Sequence, residues 1–179
     1  MNTGVDRFLQ MKSEILDFKG CNKDILLRKN FDETEELESS SIKNIMLQFI
    51  LSRSPYDFNS ENTSRIHSWT IAKNSEKLEV HHVLPLTGAT KIEQSTREIR
   101  KNPRNPLNSM LNMTYISRKA NQSIKDRSAS DYLSQLVDTT INSHLISFEK
   151  MKYENTSAFL ESRYEKMKSA ILDKLEQLV

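Results

Sequence analysis

Two histidines stand side by side in the stretch EVHHVLP, residues 79–85. Imidazoles bind divalent metals and exchange protons near neutral pH, so such a pair is suited to hydrolytic chemistry. The alternation of the segment predicts a strand, in which His81 and His82 point to opposite faces. They can serve one site only where the strand ends or bulges, which Pro85 favours. Taken alone, the pair is more typical of exposed or core-packed histidines.

Two asparagines further along the chain change this interpretation. Asn112 begins a second predicted strand in LNMTYIS, and Asn121 follows nine residues later, in the turn that enters the next helix. The chain thus runs from a histidine pair through a loop to a strand that opens on asparagine, and then to an asparagine at a helix start. This order resembles the HNH, or ββα-metal, nuclease family.

A longer run narrows the resemblance. The segment PLNSMLNMTYISRKANQSIKDRSASDYL is similar to the nuclease half of GmrSD-type restriction enzymes. KNIMLQFILSRSPYDFNS and FLESRYEKMKSAIL resemble the segments before and after it, so the similarity covers roughly residues 40–175. The nucleotide-binding, ParB-like half of those enzymes has no counterpart here. We therefore expect either a piece of a larger protein or a separate nuclease subunit.

The resemblance implies a role for each matched residue. His82 matches the catalytic general base that deprotonates the attacking water. Asn112 matches the middle asparagine of the catalytic group, which braces the loop and the base rather than contacting substrate. His81 and Asn121 match the two metal ligands, although many HNH enzymes carry an aspartate where His81 stands. The roles of the two histidines therefore stay open to exchange.

A divalent metal is the cofactor that the resemblance implies. Neutral imidazole adds no negative charge, so a hard ion such as Mg²⁺ should bind weakly until DNA phosphate joins it. Imidazole also shifts preference toward Mn²⁺, Ni²⁺, Co²⁺ or Zn²⁺. We expect Mg²⁺ or Mn²⁺, with the other three ions as alternatives. The single cysteine, Cys21, has no CxxC partner, so no structural zinc is expected.

A basic stretch surrounds the second asparagine. Residues 97–127 hold eight basic and two acidic side chains, a local charge of +6, in a chain whose net charge is +2. Such a field favours a polyanion as partner, although a solvated basic face without a partner fits the charge equally well. The resemblance implies that this polyanion is double-stranded DNA, plain or modified. The expected DNA-binding residues are Arg100, Lys101, Arg104, Arg118, Lys119, Lys125 and Arg127, of which Lys125 is the strongest single candidate.

The composition excludes several classes of protein. A single cysteine rules out an internal disulfide framework and fits a reducing compartment. No apolar run approaches the ~20 residues of a membrane span. Residues 1–15 lack the apolar segment of a secretory signal, and no glycine-rich loop indicates nucleotide hydrolysis. We therefore expect a cytoplasmic protein without membrane contact.

Amphipathic helices are predicted before the histidine pair. A helical spacing of apolar residues runs over 5–29 with an interruption at Gly20, and a clearer one runs over 39–53. Residues 55–64 predict turns and 64–73 a further short helix. The core-facing stripe expected in the second helix is Ile42, Ile45, Met46, Phe49 and Ile50.

The remaining segments must position the histidines and asparagines. Strands are predicted over 78–84 and 111–117, separated by a long irregular loop over 87–108. Ser128 with Asp131 predicts a capping box that opens a helix at about 129–137. The best amphipathic helix covers 156–178. For His67 a packing role is expected, and His144 lies in a predicted helical segment far along the chain from the motif.

These elements predict one α+β unit, mainly helical, with a ββα-metal core embedded between N- and C-terminal helices. We divide it into a helical region, 1–77, the core, 78–137, and closing helices, 138–179. The predicted function is metal-dependent hydrolysis of DNA phosphodiester bonds in a restriction or anti-phage defence system, with a ParB-like sensor as partner. The alternative is an HNH-like module that binds nucleic acid or a partner without cutting it.

Overall fold

A computed structural model describes residues 23–29, 34, 36–37, 40–59, 64–67, 77–89, 95–147 and 155–177. Its helices are α1 (Lys23–Leu27), α2 (Ser40–Ser52), α3 (Thr96–Lys101), α4 (Arg118–Ile124), α5 (Ala129–Leu133), α6 (Asp138–Ser143) and α7 (Thr156–Glu176). The strands are β1 (Leu78–His82) and β2 (Met113–Ser117), and three 3₁₀ segments cover Leu86–Ala89, Pro106–Asn108 and Met110–Asn112. The fold class is α+β and mainly helical, as predicted.

The two strands and α4 form a continuous β–β–α unit. β1 and β2 pair antiparallel, with His81 opposite Thr114 and His82 opposite Met113. α4 begins directly after β2, because the Ser117 hydroxyl accepts a hydrogen bond from the backbone of the first helical turn. The carboxylate of Asp57 accepts bonds from both the backbone and the hydroxyl of Ser117, which anchors this corner.

A single hydrophobic cluster supports the β–β–α unit from below. It joins buried residues of α2, β2 and the long helix α7, among them Ile50, Ile116 and Leu160. α7 also packs against α1, and Lys23 pairs with Glu165 at 2.7 Å across that contact. This ion pair is exposed, so burial of the apolar face does most of the stabilising.

The helix predicted over 39–53 is confirmed as α2, which ends before Pro55. Its predicted stripe is wrong at one position, because Ile45 is 66% exposed. Leu47 and Leu51 are buried instead. The helix is thus rotated about its axis relative to the prediction, because a run apolar on several sides does not by itself select the face that packs.

The irregular loop predicted over 87–108 is wrong in part, because it contains α3. Ser95 caps this helix through the backbone of Glu98, and the Glu98 carboxylate accepts a bond from the Ser95 backbone in return. This reciprocal pair is a capping box, and its Ser-x-x-Glu spacing is visible in the sequence. α3 ends at Lys101, ahead of Pro103.

Two further helix predictions need correction. Residues 64–67 are not helical, because Arg65 pairs as an isolated bridge with Tyr56. Ser128 caps α5 as predicted, with its hydroxyl accepting a bond from the Asp131 backbone, but the helix ends at Leu133 rather than near 137. A separate helix, α6, then follows.

Other predictions have mixed outcomes. The closing helix is confirmed as α7, whereas the helical spacing over 5–22 and the segment 68–76 lie outside the described residues. The division of the chain at residues 77 and 137 stays a prediction. No helix in the described part of the chain combines the length and hydropathy needed to cross a membrane.

Candidate active site

The end of β1 brings both histidines to one cavity. On a regular strand they would face opposite sides, but β1 ends at His82 and the chain bends at the next two residues. His81, His82 and Asn121 therefore line a common cavity of about 230 Å³. The predicted convergence of two strand residues with one helix residue is present in the structure.

His81 is buried, with only 7% of its surface exposed, and both of its ring nitrogens have polar neighbours. Nδ1 lies 2.9 Å from Asn121 Oδ1, and Nε2 lies 3.3 Å from the Tyr132 hydroxyl. Burial lowers the pKa of this imidazole to about 4, although the hydrogen bond to Asn121 opposes the change. His81 is therefore neutral at pH 7 and able to act as a metal ligand.

His82 has an open ring nitrogen. Its Nε2 is buried and has no hydrogen-bond partner among the described residues. Burial, and then the charges of His81, Arg100 and Lys43, lower the pKa of His82 to about 4, while a hydrogen bond with Asn108 opposes them. The imidazole is thus neutral at pH 7 and lines the cavity, and a group that bonds to its Nε2 would satisfy a buried nitrogen.

Glu79 determines which way the Asn121 amide faces. Its carboxylate, which can only accept, lies 2.6 Å from Asn121 Nδ2. The amide nitrogen therefore points to Glu79 and the amide oxygen to His81. Glu79 also forms a long ion pair with Arg118, at 3.7 Å between Nε and Oε1.

The spacing of the His81 nitrogen and the Asn121 oxygen fits a divalent ion. Two adjacent ligands on an octahedral ion with bonds of about 2.1 Å lie about 3 Å apart, close to the 2.9 Å between these atoms. Within the described residues, no group of three or more His, Cys, Asp or Glu side chains is arranged to hold a metal. A metal here would therefore need further ligands from water or substrate.

Asn112 is fully buried beside the cavity rather than in its wall. Its amide oxygen accepts from the Leu84 backbone at 2.7 Å, and its amide nitrogen donates to the carbonyls of Leu84 and Leu107 at 3.0 and 2.8 Å. The Asn112 carbonyl also accepts from the Val83 backbone. This residue therefore holds the turn that directly follows His82.

Only two of the seven expected DNA-binding residues line the cavity. Arg100 from α3 and Lys125 at the end of α4 stand on its wall together with one acid, Asp126. Lys125 has φ 49° and ψ −125°, a backbone conformation that costs a non-glycine residue energy. The cavity thus carries a cationic rim suited to an anionic group.

The other five cations stand away from the cavity wall. Arg127 donates to Gln135 Oε1 and to the Ser123 carbonyl, beside a separate cavity of about 140 Å³. Arg118 is engaged by Glu79, as described above. Lys101 and Lys119 are exposed and Arg104 is half-buried outside the cavity lining.

Sequence reasoning missed several residues that support the site. Tyr132 and Glu79 contact the two predicted metal ligands; both stand within stretches quoted for the resemblance, but no role was assigned to them. Arg163 lies in the predicted closing helix, where it is buried as a cation. No local signal in the sequence distinguishes these roles.

His144 packs close to the site, although it stands far from the histidine pair along the chain. It is fully buried beneath β2 and next to the Phe58 ring. Its Nε2 donates to the Tyr56 carbonyl, so its Nδ1 accepts from the Thr114 hydroxyl at 2.7 Å. Both ring nitrogens are therefore used in structural bonds.

Comparison with known proteins identifies the family. The family described as GmrSD restriction endonucleases, C-terminal domain, matches residues 21–169, which include every residue of the cavity. No curated protein and no solved structure was found to match the chain. The family match supports a nuclease of the restriction-endonuclease type, for which DNA is the implied substrate. The chain belongs to the family of GmrSD restriction endonuclease C-terminal domains.

Proposed function

We propose that this chain is a metal-dependent HNH endonuclease that hydrolyses DNA phosphodiester bonds. The observation that carries the proposal is the shared cavity of His81, His82 and Asn121 at the junction of two strands and a helix. Two groups suited to hold an ion and one group suited to accept a proton meet there beside a cationic rim. This combination matches the needs of phosphodiester hydrolysis.

In this proposal His82 is the general base. Its neutral imidazole has an open Nε2, which accepts a proton from the water that attacks phosphorus. The P–O3′ bond then breaks, and the 3′ oxygen leaves with a proton from solvent. A phosphate in the cavity would raise the pKa of His82 by its negative charge, which brings the base closer to its ordinary range.

His81 Nδ1 and Asn121 Oδ1 would hold the divalent ion, for which we propose Mg²⁺ or Mn²⁺, with Ni²⁺, Co²⁺ or Zn²⁺ as alternatives. When bound, this ion would stabilise negative charge on the phosphoryl and leaving oxygens. The pair adds no net charge, so the scissile phosphate would contribute much of the affinity. The reverse assignment, with His82 as ligand, is disfavoured because Asn121 faces His81.

The cations divide into two groups in this proposal. Arg100 and Lys125 would hold the scissile phosphate or its neighbour, because they line the cavity. Lys101, Arg104, Arg118, Lys119 and Arg127 would contact phosphates further along the DNA backbone. Such contacts supply affinity and salt dependence but no sequence preference.

The biological setting is proposed from the family. GmrSD enzymes are restriction endonucleases, so we propose that this domain cuts double-stranded foreign DNA, plain or modified, in a defence system. A nucleotide-binding ParB-like domain or subunit would be the partner that licenses cutting. We place the reaction in the cytoplasm, where such DNA is met.

A supercoiled-plasmid assay with Mg²⁺, Mn²⁺ or EDTA tests the proposal. We expect metal-dependent conversion to open circles by wild type, loss of conversion in His82→Ala, and recovery of His81→Ala at raised metal concentration. His67→Ala is the matched control, because His67 lies outside the cavity lining and should leave nicking unchanged.

Two outcomes would contradict the proposal. Tight DNA binding without nicking under any of the five ions, in the presence of the partner domain, would favour the non-cleaving binding module. The lowered pKa of His82 favours this non-cleaving function, because a weak base is a poor proton acceptor. Full activity of His82→Ala would instead remove His82 as the base.

A further inference from the structure

Five groups at the site form one hydrogen-bonded chain. It runs from the Glu79 carboxylate through the Asn121 amide and the His81 ring to the Tyr132 hydroxyl, and ends on the carbonyl of Val83. We propose that Glu79 and Tyr132 are positioning residues that turn one lone pair of Asn121 and one of His81 toward a shared divalent cation. This inference rests on the proposed function, because it concerns the same metal site.

The direction of the chain follows from its two ends. At one end the Glu79 carboxylate accepts only, so Asn121 donates to it and presents Oδ1 to His81. At the other end the Val83 carbonyl also accepts only. The single proton of the Tyr132 hydroxyl is therefore directed to Val83, across a short distance of 2.5 Å. The hydroxyl oxygen is left as an acceptor for His81 Nε2, 3.3 Å away.

The neutral His81 ring has one N–H and therefore two tautomers, with the proton on Nδ1 or on Nε2. With the proton on Nδ1, the ring donates to Asn121 Oδ1 across 2.9 Å. The Nδ1 lone pair needed to bind a cation is then absent. With the proton on Nε2, the ring donates to Tyr132, and lone pairs of Nδ1 and Oδ1 face each other. Two such acceptors at this distance repel unless a cation lies between them.

Metal binding therefore requires the second tautomer. One proton leaves Nδ1 for solvent and one is taken up at Nε2, so the net charge of the ring is unchanged. Tyr132 makes this exchange favourable by offering an acceptor at Nε2, which would otherwise be a buried donor without a partner. Tyr132 is 2% exposed and packs edge-on against His81 and beside Phe58, so it acts through His81 and not on substrate.

The test measures metal binding rather than cleavage. In a His82→Ala background with a short DNA duplex, Mn²⁺ affinity is measured by electron paramagnetic resonance for the parent, Tyr132→Phe and Glu79→Ala. We expect each added substitution to weaken Mn²⁺ binding by about tenfold or more. Tyr115→Phe is the matched control, because Tyr115 lies on β2 outside the chain of bonds. This variant should bind Mn²⁺ like the parent.

A spectroscopic readout separates positioning from structural support. Nitrogen-15 shifts of the His81 ring should show the proton on Nε2 when diamagnetic Mg²⁺ is added to the parent. Tyr132→Phe retains the ring packing but should lose this change. Unfolding curves that match the parent would exclude a general loss of structure.

Each contrary result has a distinct meaning. Mn²⁺ affinity in Tyr132→Phe within twofold of the parent would overturn the positioning role. A parent that binds no Mn²⁺ would overturn the metal site of the proposed function, and this inference with it. Bound Mn²⁺ without nicking by the protein that retains His82 would count against the nuclease but leave the positioning role intact.

Discussion

At the scale of single residues, the site depends on which atoms are bonded and which are open. His82 Nε2 is buried and open among the described residues, whereas the Asn112 amide is fully used by backbone groups. An open buried nitrogen costs free energy, and such a cost is typical of functional sites. A satisfied buried amide stabilises the turn next to it. His82 therefore lowers the stability of the fold, whereas Asn112 raises it.

Lys125 combines an unfavourable backbone with a place on the cavity wall. We expect Lys125→Gly to be roughly 1 kcal/mol more stable than Lys125→Ala, because glycine tolerates the positive φ. Both variants should bind DNA more weakly, because a phosphate contact is lost. The slope of the logarithm of DNA affinity against the logarithm of salt concentration should become shallower by about one. Urea unfolding and DNA titrations at several salt concentrations measure these effects.

Lys174→Ala is the control for Lys125, because Lys174 lies on the exposed face of α7. It should leave both measurements unchanged. Wild-type DNA affinity in both Lys125 variants would show that this side chain does not contact phosphate.

We expect Asn112 to contribute to the stability of the fold rather than directly to the chemistry. Asn112→Ala leaves two carbonyls and one backbone N–H without their buried partner, so we expect a loss of roughly 3 kcal/mol or more in the free energy of unfolding. The control is Asn142→Ala, whose exposed amide accepts from Lys166 and should cost under about 1 kcal/mol. Equal stability of the two variants in urea unfolding would refute this account.

At the scale of elements, α3 connects the loop between the strands to the cavity. The helix is six residues long, too short to be stable alone, so its cap and its packing must hold it. Ile99 packs into the core, while Arg100 from the next position lines the cavity. The capping box thus contributes to the placement of a cavity cation.

Removal of the cap should loosen α3 without unfolding the domain. We expect Ser95→Ala to cost about 1 kcal/mol and to speed hydrogen exchange of the backbone amides over residues 98–101. Ser134→Ala is the control, because the Ser134 hydroxyl donates to the Asp131 carbonyl at the exposed end of α5, away from α3. Exchange rates in α3 that match wild type would show that packing alone maintains the helix.

At the scale of the whole molecule, the core around the site contains buried groups that resist protonation. Three histidines have lowered pKa values, about 4 for His81 and His82 and about 3 for His144, with burial as the main cause. Arg163 adds a buried cation that is 1% exposed and donates to the carbonyls of Met113 and His144. Burial lowers the pKa of Arg163 to about 9, so it is charged at neutral pH.

The buried histidines predict acid sensitivity. Below about pH 6.5 the histidines of the unfolded chain become protonated. The same histidines in the folded protein stay neutral until the pH reaches their lower pKa values. Stability should therefore be full above about pH 6.5 and fall as pH drops toward 4. Each histidine contributes a slope of up to about 1.4 kcal/mol per pH unit. Urea unfolding at intervals from pH 7.5 to 5 measures this slope, where most carboxylates remain ionised.

His144→Gln provides the comparison for this prediction. Removal of one of three contributing groups should reduce the slope between pH 6 and 5 by about a third, in proportion to the protons refused. The control is His67→Gln at a half-buried position, which should change the slope less than the substitution of the fully buried His144. A stability that does not vary over this range would mean that the histidines are protonated in the folded protein.

Local patterns in the sequence specify the order of chemical groups and the elements with strong local signals. The histidine pair, the two asparagines, both strands, α2, α7 and the cap of α5 follow from patterns that span a few residues, because periodicity and capping are local interactions. A local signal of the same kind for α3 stands in Ser95 and Glu98, within the segment for which we predict a loop. The predicted core stripe of α2 includes the exposed Ile45, because a local pattern does not choose between two apolar faces.

Tertiary packing sets which atoms face each other at the site. The bond between His81 and Asn121 joins residues 40 positions apart, and that between His81 and Tyr132 joins residues 51 apart. Such contacts arise from packing, which periodicity does not encode. The end of β1 at His82, rather than two residues later, let both histidines reach one cavity. The chain order therefore specifies the candidate groups, whereas their lone pairs, open atoms and supporting partners are set by the folded core.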